Sequence, residues 1–301
     1  MSIRLGHLMM HSLAVLTALT ISGRAHAGGT FDKIRSTGTI TLGYREASIP
    51  FSYLGGDQKP EGFSLEICSW IADRIKTELR LDALQVTYIA VNAANRIPLI
   101  QNGTIDIECG STTNTLDRQK QVAFSVATFV SQPRWLTTIT SGVNSAADLR
   151  GKTIVITQGS LNFLIAKDIN ASDKVGFTIA PGKDHAESLL MLTTGRVSAF
   201  FEDDILLAGL KASAPDPRSL KLLPDNYKGF YYYGLMFRKD DPEFKSFVDA
   251  VLKEKMMSGA FTKAYDKWFT AAIPPQGRNL ELPMSDALKE RVANPSDHVD
   301  N

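Results

Sequence analysis

Residues 39–46 read Thr-Ile-Thr-Leu-Gly-Tyr-Arg-Glu, a short strand-forming run that ends on a pair of opposite charges. Beyond it, Phe63, Ile67, Trp70, Ile71 and Ile75 recur at helical spacing within Phe63 to Leu79. Leu84 to Ala90 is again strand-like, Asn95 to Gln101 gives a turn or two of helix stopped by Asn102-Gly103, and Ile105 to Glu108 is a third short strand. The order β-α-β-α-β predicts a largely parallel sheet with helices on both faces. A second copy of the pattern starts at Thr153, with strands over Thr153 to Thr157, Phe177 to Ala180 and Val197 to Phe201. Helices over Ser160 to Lys167 and His185 to Thr194 separate them. Two α/β units of about a hundred residues each follow. The amphipathic helices Pro242 to Met257 and Ala260 to Phe269 are too little for a third domain, so they are expected to pack onto the first unit. Pro274-Pro275 should end regular structure, leaving a polar, partly loose tail to Asn301.

Composition narrows the function. The 301 residues are 44% hydrophobic and 22% charged, which suits a folded chain with a sizeable core. Basic and acidic residues nearly cancel, 33 against 32, so there is no field of one sign to recruit nucleic acid. Arg4, the apolar run Leu8 to Ile21 and the small-x-small site Ala25-His26-Ala27 read as a secretory signal peptide over residues 1–27. Its removal takes away two basic and no acidic residues, leaving a net charge of −1 and an exported, soluble chain. Cys68 and Cys109 are too isolated for a redox or zinc motif and are either free thiols or one disulfide.

No G-x-S-x-G elbow, phosphate loop, H-E-x-x-H or dinucleotide fingerprint occurs, which lowers the prior for catalysis. Polar residues sit instead at the ends of expected strands, where open α/β sheets hold ligands. Arg45-Glu46, Ser111 to Thr113, Thr157 to Ser160 and Asp203-Asp204 all have this placement. Any one arginine there is more often a solvated rim residue; four positions on two units together point to a cleft between them.

The run 44–53, with Asn95-Arg96-Ile97-Pro98-Leu99, Cys109-Gly110-Ser111-Thr112-Thr113-Asn114 and Arg118 before Gln119-Lys120, resembles the periplasmic glutamate/aspartate-binding proteins of ABC importers. The resemblance covers roughly Thr30 to Pro275 and implies the periplasmic-binding-protein-like α/β fold: two lobes, each a mostly parallel sheet flanked by helices, joined by two hinge crossings. The expected division is 28–130 plus 232–301 for lobe 1 and 131–231 for lobe 2, with crossings near Thr128 to Gln132 and Gly229 to Tyr233. It implies a monomeric, cofactor-free carrier in the periplasm that closes on glutamate or aspartate and presents it to an inner-membrane permease.

Family roles fall on matching positions. Arg118 would hold the ligand's α-carboxylate with its planar fork, joined by the Thr113 backbone N–H and by Ser160. Ser160 on sequence alone reads first as a plain helix N-cap, a role that can coexist with carboxylate binding. Asp203 would accept the α-ammonium with Ser111 and the Thr113 hydroxyl, Asp204 being the competing candidate or a cap. Arg45, Arg96 and His185 would meet the side-chain carboxylate, against bland readings of Arg96 bonding a helix end and of His185 as a solvated first helical residue. Ala93-Ala94 and Gln158-Gly159-Ser160-Leu161 depart from the hydroxyl-rich pattern, and Leu235 stands where relatives carry a second cysteine. The alternative is a periplasmic enzyme on the same fold, such as a cyclohexadienyl-type dehydratase, using Glu46, Glu108 or Glu202 as general acid.

Overall fold

The computed structural model describes residues 29–225, 227 and 229–300. The signal-peptide reading of residues 1–27 lies outside them. Thr39–Tyr44 pairs in parallel with Gln85–Ala90 on one side and Ile107–Glu108 on the other. Met236–Phe237 then joins antiparallel and carries Ala123–Phe124 at the far edge. The second sheet repeats this plan: Thr153–Thr157 lies between Thr178–Gly182 and Ala199–Asp203, both parallel, and Pro133–Thr138 joins antiparallel before Leu220–Leu222. In each sheet one strand of five opposes the rest, so a mostly parallel sheet is what the alternating pattern produces.

Both faces of the second sheet are covered, and this explains why its strands are apolar without alternation. Ile154, Ile156 and Phe201 belong to one core cluster with Trp135 and Phe177, while Val155 and Phe200 belong to another with Leu136, Leu207 and Leu210. Successive strand residues point to opposite faces, so each face receives its own half of the run. The first unit is anchored by aromatics: Phe51, Phe63, Phe129, Tyr233 and Phe269 share one cluster with Phe244 and Phe261. The helices Pro242–Met257 and Ala260–Phe269 therefore pack on the first unit, as their apolar faces require.

Two findings sharpen the sequence reading. Cys68, on the helix Phe63–Glu78, and Cys109, one residue past Ile107–Glu108, form a disulfide. Beyond Pro275 the described residues take up regular structure again, contrary to the expected loose tail. A helix runs over Asp286–Ala293, Leu288 and Val299 are buried, and Ala127 N–H donates to the Ser296 carbonyl at 2.9 Å. A few buried apolar residues in a polar stretch suffice to seat it, which average polarity conceals.

The segments joining the sheets run side by side. Phe129–Ser131 and Tyr231–Tyr233 form an antiparallel ladder with Phe129 opposite Tyr233 and Ser131 opposite Tyr231. One further bridge sets Thr113 opposite Tyr233.

Candidate functional site

The carboxyl ends of both sheets face one cavity. Arg45, Arg96, Ser111 and Thr113 line it from the first unit, and Ser160, Asn162, His185, Glu202 and Asp203 from the second. The free volume between these side chains is about 10 Å³, so the two units are nearly in contact around the site. Seven of the eight residues assigned from sequence line this space. The eighth, Arg118, sits half-buried at its margin.

Local structure positions each group. The Arg45 backbone N–H donates to Ser52 Oγ at 2.8 Å, fixing the turn after the first strand. Thr115 caps the short helix Leu116–Gln119 by accepting from Arg118 N–H, which aims the Arg118 side chain back at the strand end. Arg118 Nη1 donates to the Thr113 carbonyl at 2.8 Å and Nη2 to the Gly159 carbonyl at 3.3 Å, joining the two units. Asn114 N–H donates to the Tyr232 carbonyl and Gly234 N–H to the Thr112 carbonyl, so Thr113's own N–H and C=O turn away from Tyr233 toward the arginine.

His185 is buried, not solvated. It begins the helix His185–Thr193 behind the Asp184 cap, with Nδ1 2.8 Å from Thr157 Oγ1 and Nε2 3.3 Å from Arg45 Nη2. A guanidinium can only donate, so Nε2 accepts and Nδ1 carries the proton. Burial, then Arg45 and Arg96, push the His185 pKa well down, so the ring is neutral and orients Arg45 rather than adding charge. Ser160 is not a cap: the helix runs over Asn162–Ser172, no side chain caps it, and Ser160 Oγ is buried without a partner. Asp203 precedes the helix Asp204–Ser213, yet its side chain does not cap it. Asp203 Oδ1 accepts from Asn162 Nδ2 at 3.0 Å, and Oδ2 from the Tyr233 hydroxyl. Asp204 faces the crossing segments, accepting from Gln132 N–H at 3.3 Å.

Three further residues belong to the site: Asn162, which the sequence did not single out, and Glu108 and Glu202, named from sequence only as candidate general acids of the alternative enzyme. Glu108 lies 3.8 Å from Arg96 Nη1 and accepts from Thr112 Oγ1 at 2.6 Å. Glu202 accepts from Asn162 Nδ2 and lies 3.6 Å from His185 Nδ1. A carboxylate closing an otherwise apolar strand was the available signal for both glutamates, and Asn162 at the first helical position had none. Arg96 is buried against Glu108 and bonds no helix end.

Charge in this site is held against burial. Arg45 is pulled down to about 10 and Arg118 to about 9, by burial first and by Arg96 second, and both stay cationic at neutral pH. Burial and mutual repulsion raise Glu202 and Asp203, so the adjacent pair retains a proton near neutrality. Arg45, Arg96 and Arg118 thus share this site with the carboxyl groups of Glu108, Glu202 and Asp203, the last two pushed toward their neutral forms by burial. Buried side-chain atoms without a partner concentrate here: Arg96 Nε and Nη1, Glu108 Oε1, Ser111 Oγ, Ser160 Oγ, Asn162 Oδ1 and Glu202 Oε2. Such groups are costly unless something completes them.

Two like sheets joined by an antiparallel pair of crossing segments, with a polar cavity at their carboxyl ends, are the architecture of the solute-binding proteins. The bacterial extracellular solute-binding proteins, family 3, match residues 40–271, and the chain belongs to that family. An L-glutamate/L-aspartate-binding protein of Pseudomonas aeruginosa is 47% identical over 270 residues, 89% of each chain. A glutamate/aspartate import solute-binding protein of Escherichia coli is 40% identical over 277 residues, 91% of each. Among solved structures, an ancestral arginine-binding protein bound to arginine is 25% identical, covers 77% of this chain and 98% of its own, and superposes with a TM-score of 0.68.

Proposed function

We propose that the chain is an extracytoplasmic carrier that captures glutamate or aspartate by closure of two lobes and delivers it to an ABC permease. In this reading residues 1–27 are a removed leader, lobe 1 comprises 28–130 with 232–301, and lobe 2 comprises 131–231. The antiparallel pair Phe129–Ser131 and Tyr231–Tyr233 is the hinge. The observation that carries it is the convergence of Arg45 and Arg96 in one cavity with Arg118 at its margin. An acidic amino acid offers these guanidiniums a second carboxylate, whereas glutamine offers only one. Arg118, the Thr113 N–H and Ser160 receive the α-carboxylate, Asp203, Ser111 and the Thr113 hydroxyl the ammonium, and Arg45 and Arg96 the side-chain carboxylate. His185 holds Arg45 in place.

Calorimetry of the chain lacking residues 1–27 against glutamate, aspartate, glutamine and asparagine tests the reading. Both acids should bind at least ~100-fold more tightly than either amide, a gap of about 3 kcal/mol. Equal binding of all four removes the charge argument. Recovering the ligand unchanged from the complex separates a carrier from a dehydratase, for which the proton retained beside Glu202 would be the general acid.

A further inference from the structure

Two glycines of the second unit press directly on the backbone of the first. Gly209 is buried inside the helix Asp204–Ser213, one turn beyond Leu206, which lines the cavity. A methyl carbon on Gly209 would overlap the Ile49 carbonyl oxygen, lying 2.8 Å from its carbon and 3.1 Å from Ile49 Cβ. Gly159, beside Ser160, has φ +83°, and a methyl carbon there would lie 2.7 Å from the carbonyl carbon and oxygen of Ala93 and from Ala94 Cα. The obstacles are backbone atoms, which cannot swing aside as a side-chain tip could. Both approaches join residues that the sequence places on opposite sides of the crossing segments, and both flank the cavity.

We infer that Gly159 and Gly209 are positioning residues for closure: they let the units approach until Arg118 reaches the Gly159 carbonyl and the cavity seals. Glycine inside a helix lowers its stability relative to alanine, so its presence at 209 calls for a reason, and the Ile49 carbonyl supplies one. A side chain at either point holds the units apart without touching a ligand-binding group. Ligand affinity then falls, because ligand must bind a state in which its two sets of partners cannot both reach it.

This inference rests on the closure reading above, and its test separates the two. Glutamate and aspartate titrations, X-ray scattering with and without glutamate, and unliganded melting temperature are measured for the wild type, Gly209→Ala and Gly159→Asn. Asparagine tolerates a positive φ while adding a Cβ, so it suits position 159. The wild type should compact on binding. Gly209→Ala should melt no lower than the wild type without ligand, bind glutamate at least ~10-fold more weakly, and compact less. Gly159→Asn should weaken binding in the same sense. A Gly209→Ala chain that binds and compacts like the wild type overturns the inference, and so does one that fails to fold without ligand, because the glycine would then serve the open fold. A wild type that binds neither acid removes the carrier reading and this one together.

Discussion

Replacing Arg45 by glutamine should stabilise the unliganded protein while weakening its hold on an acidic ligand. The Arg45 guanidinium is 3% exposed, meets His185 Nε2 at 3.3 Å, and belongs to none of the ion pairs among the described residues. Burial first and Arg96 second bring it from 12.5 down to about 10. At ~1.36 kcal/mol per tenfold change in proton affinity, holding this cation in the empty site costs about 3 kcal/mol. Glutamine keeps a donor for His185 and sheds the charge, so unfolding free energy should rise by up to that amount, less the packing lost with the arginine stem. Removing one member of a close buried charge pair with the ligand costs ~2–5 kcal/mol, so glutamate affinity should fall by roughly 30-fold to several thousand-fold. Glutamine, with no second carboxylate, should lose much less, and the preference for the acid should collapse. Denaturant melts of the empty protein and calorimetry with both ligands read the two effects. A variant that is less stable when empty and retains the glutamate preference would refute the assignment of Arg45 as an uncompensated cation.

Further outcomes follow from other groups. Glu202 is raised by burial and Asp203 to about 8, so the folded chain keeps a proton that the unfolded chain releases above its ordinary 4.5; empty-state stability should decline as pH rises from about 5 to about 8, and Glu202→Gln should flatten that decline in a series of melting curves. Tyr233→Phe removes the hydroxyl bonded to Asp203 and should weaken glutamate binding by ~1–3 kcal/mol, seen by calorimetry, while the Phe51 and Phe129 packing of the ring is retained. Replacing Cys68 and Cys109 by serine opens a loop of sequence separation 41 and should cost about 4 kcal/mol in denaturant unfolding, with little change in ligand affinity. Val299→Ala should lower stability by about 2 kcal/mol in the same assay, because the tail is seated rather than loose.

How much of this was legible varies with the range of the interaction. The strand Thr39–Tyr44 and the helices Pro242–Met257 and Ala260–Phe269 fall where local periodicity puts them, since three- to four-residue spacing is written directly in the chain. Ser160 was ambiguous because a serine before an apolar run fits a cap and a ligand donor alike, and only the helix start at Asn162 separated the two. His185 was assigned to the cavity but not its neutrality, which depends on two arginines 140 and 89 residues away in sequence.

The sequence alone determined the alternation of strand and helix, the doubling of the unit and the residue types at the strand ends, because these depend on neighbours within a few positions. Tertiary structure decided the charge of the site. Glu108 comes within 3.8 Å of Arg96 and Glu202 within 3.6 Å of His185, and burial raises Glu202 and Asp203, only once the chain has folded. Desolvation and distance are properties of the folded molecule, and no local pattern in the chain encodes either.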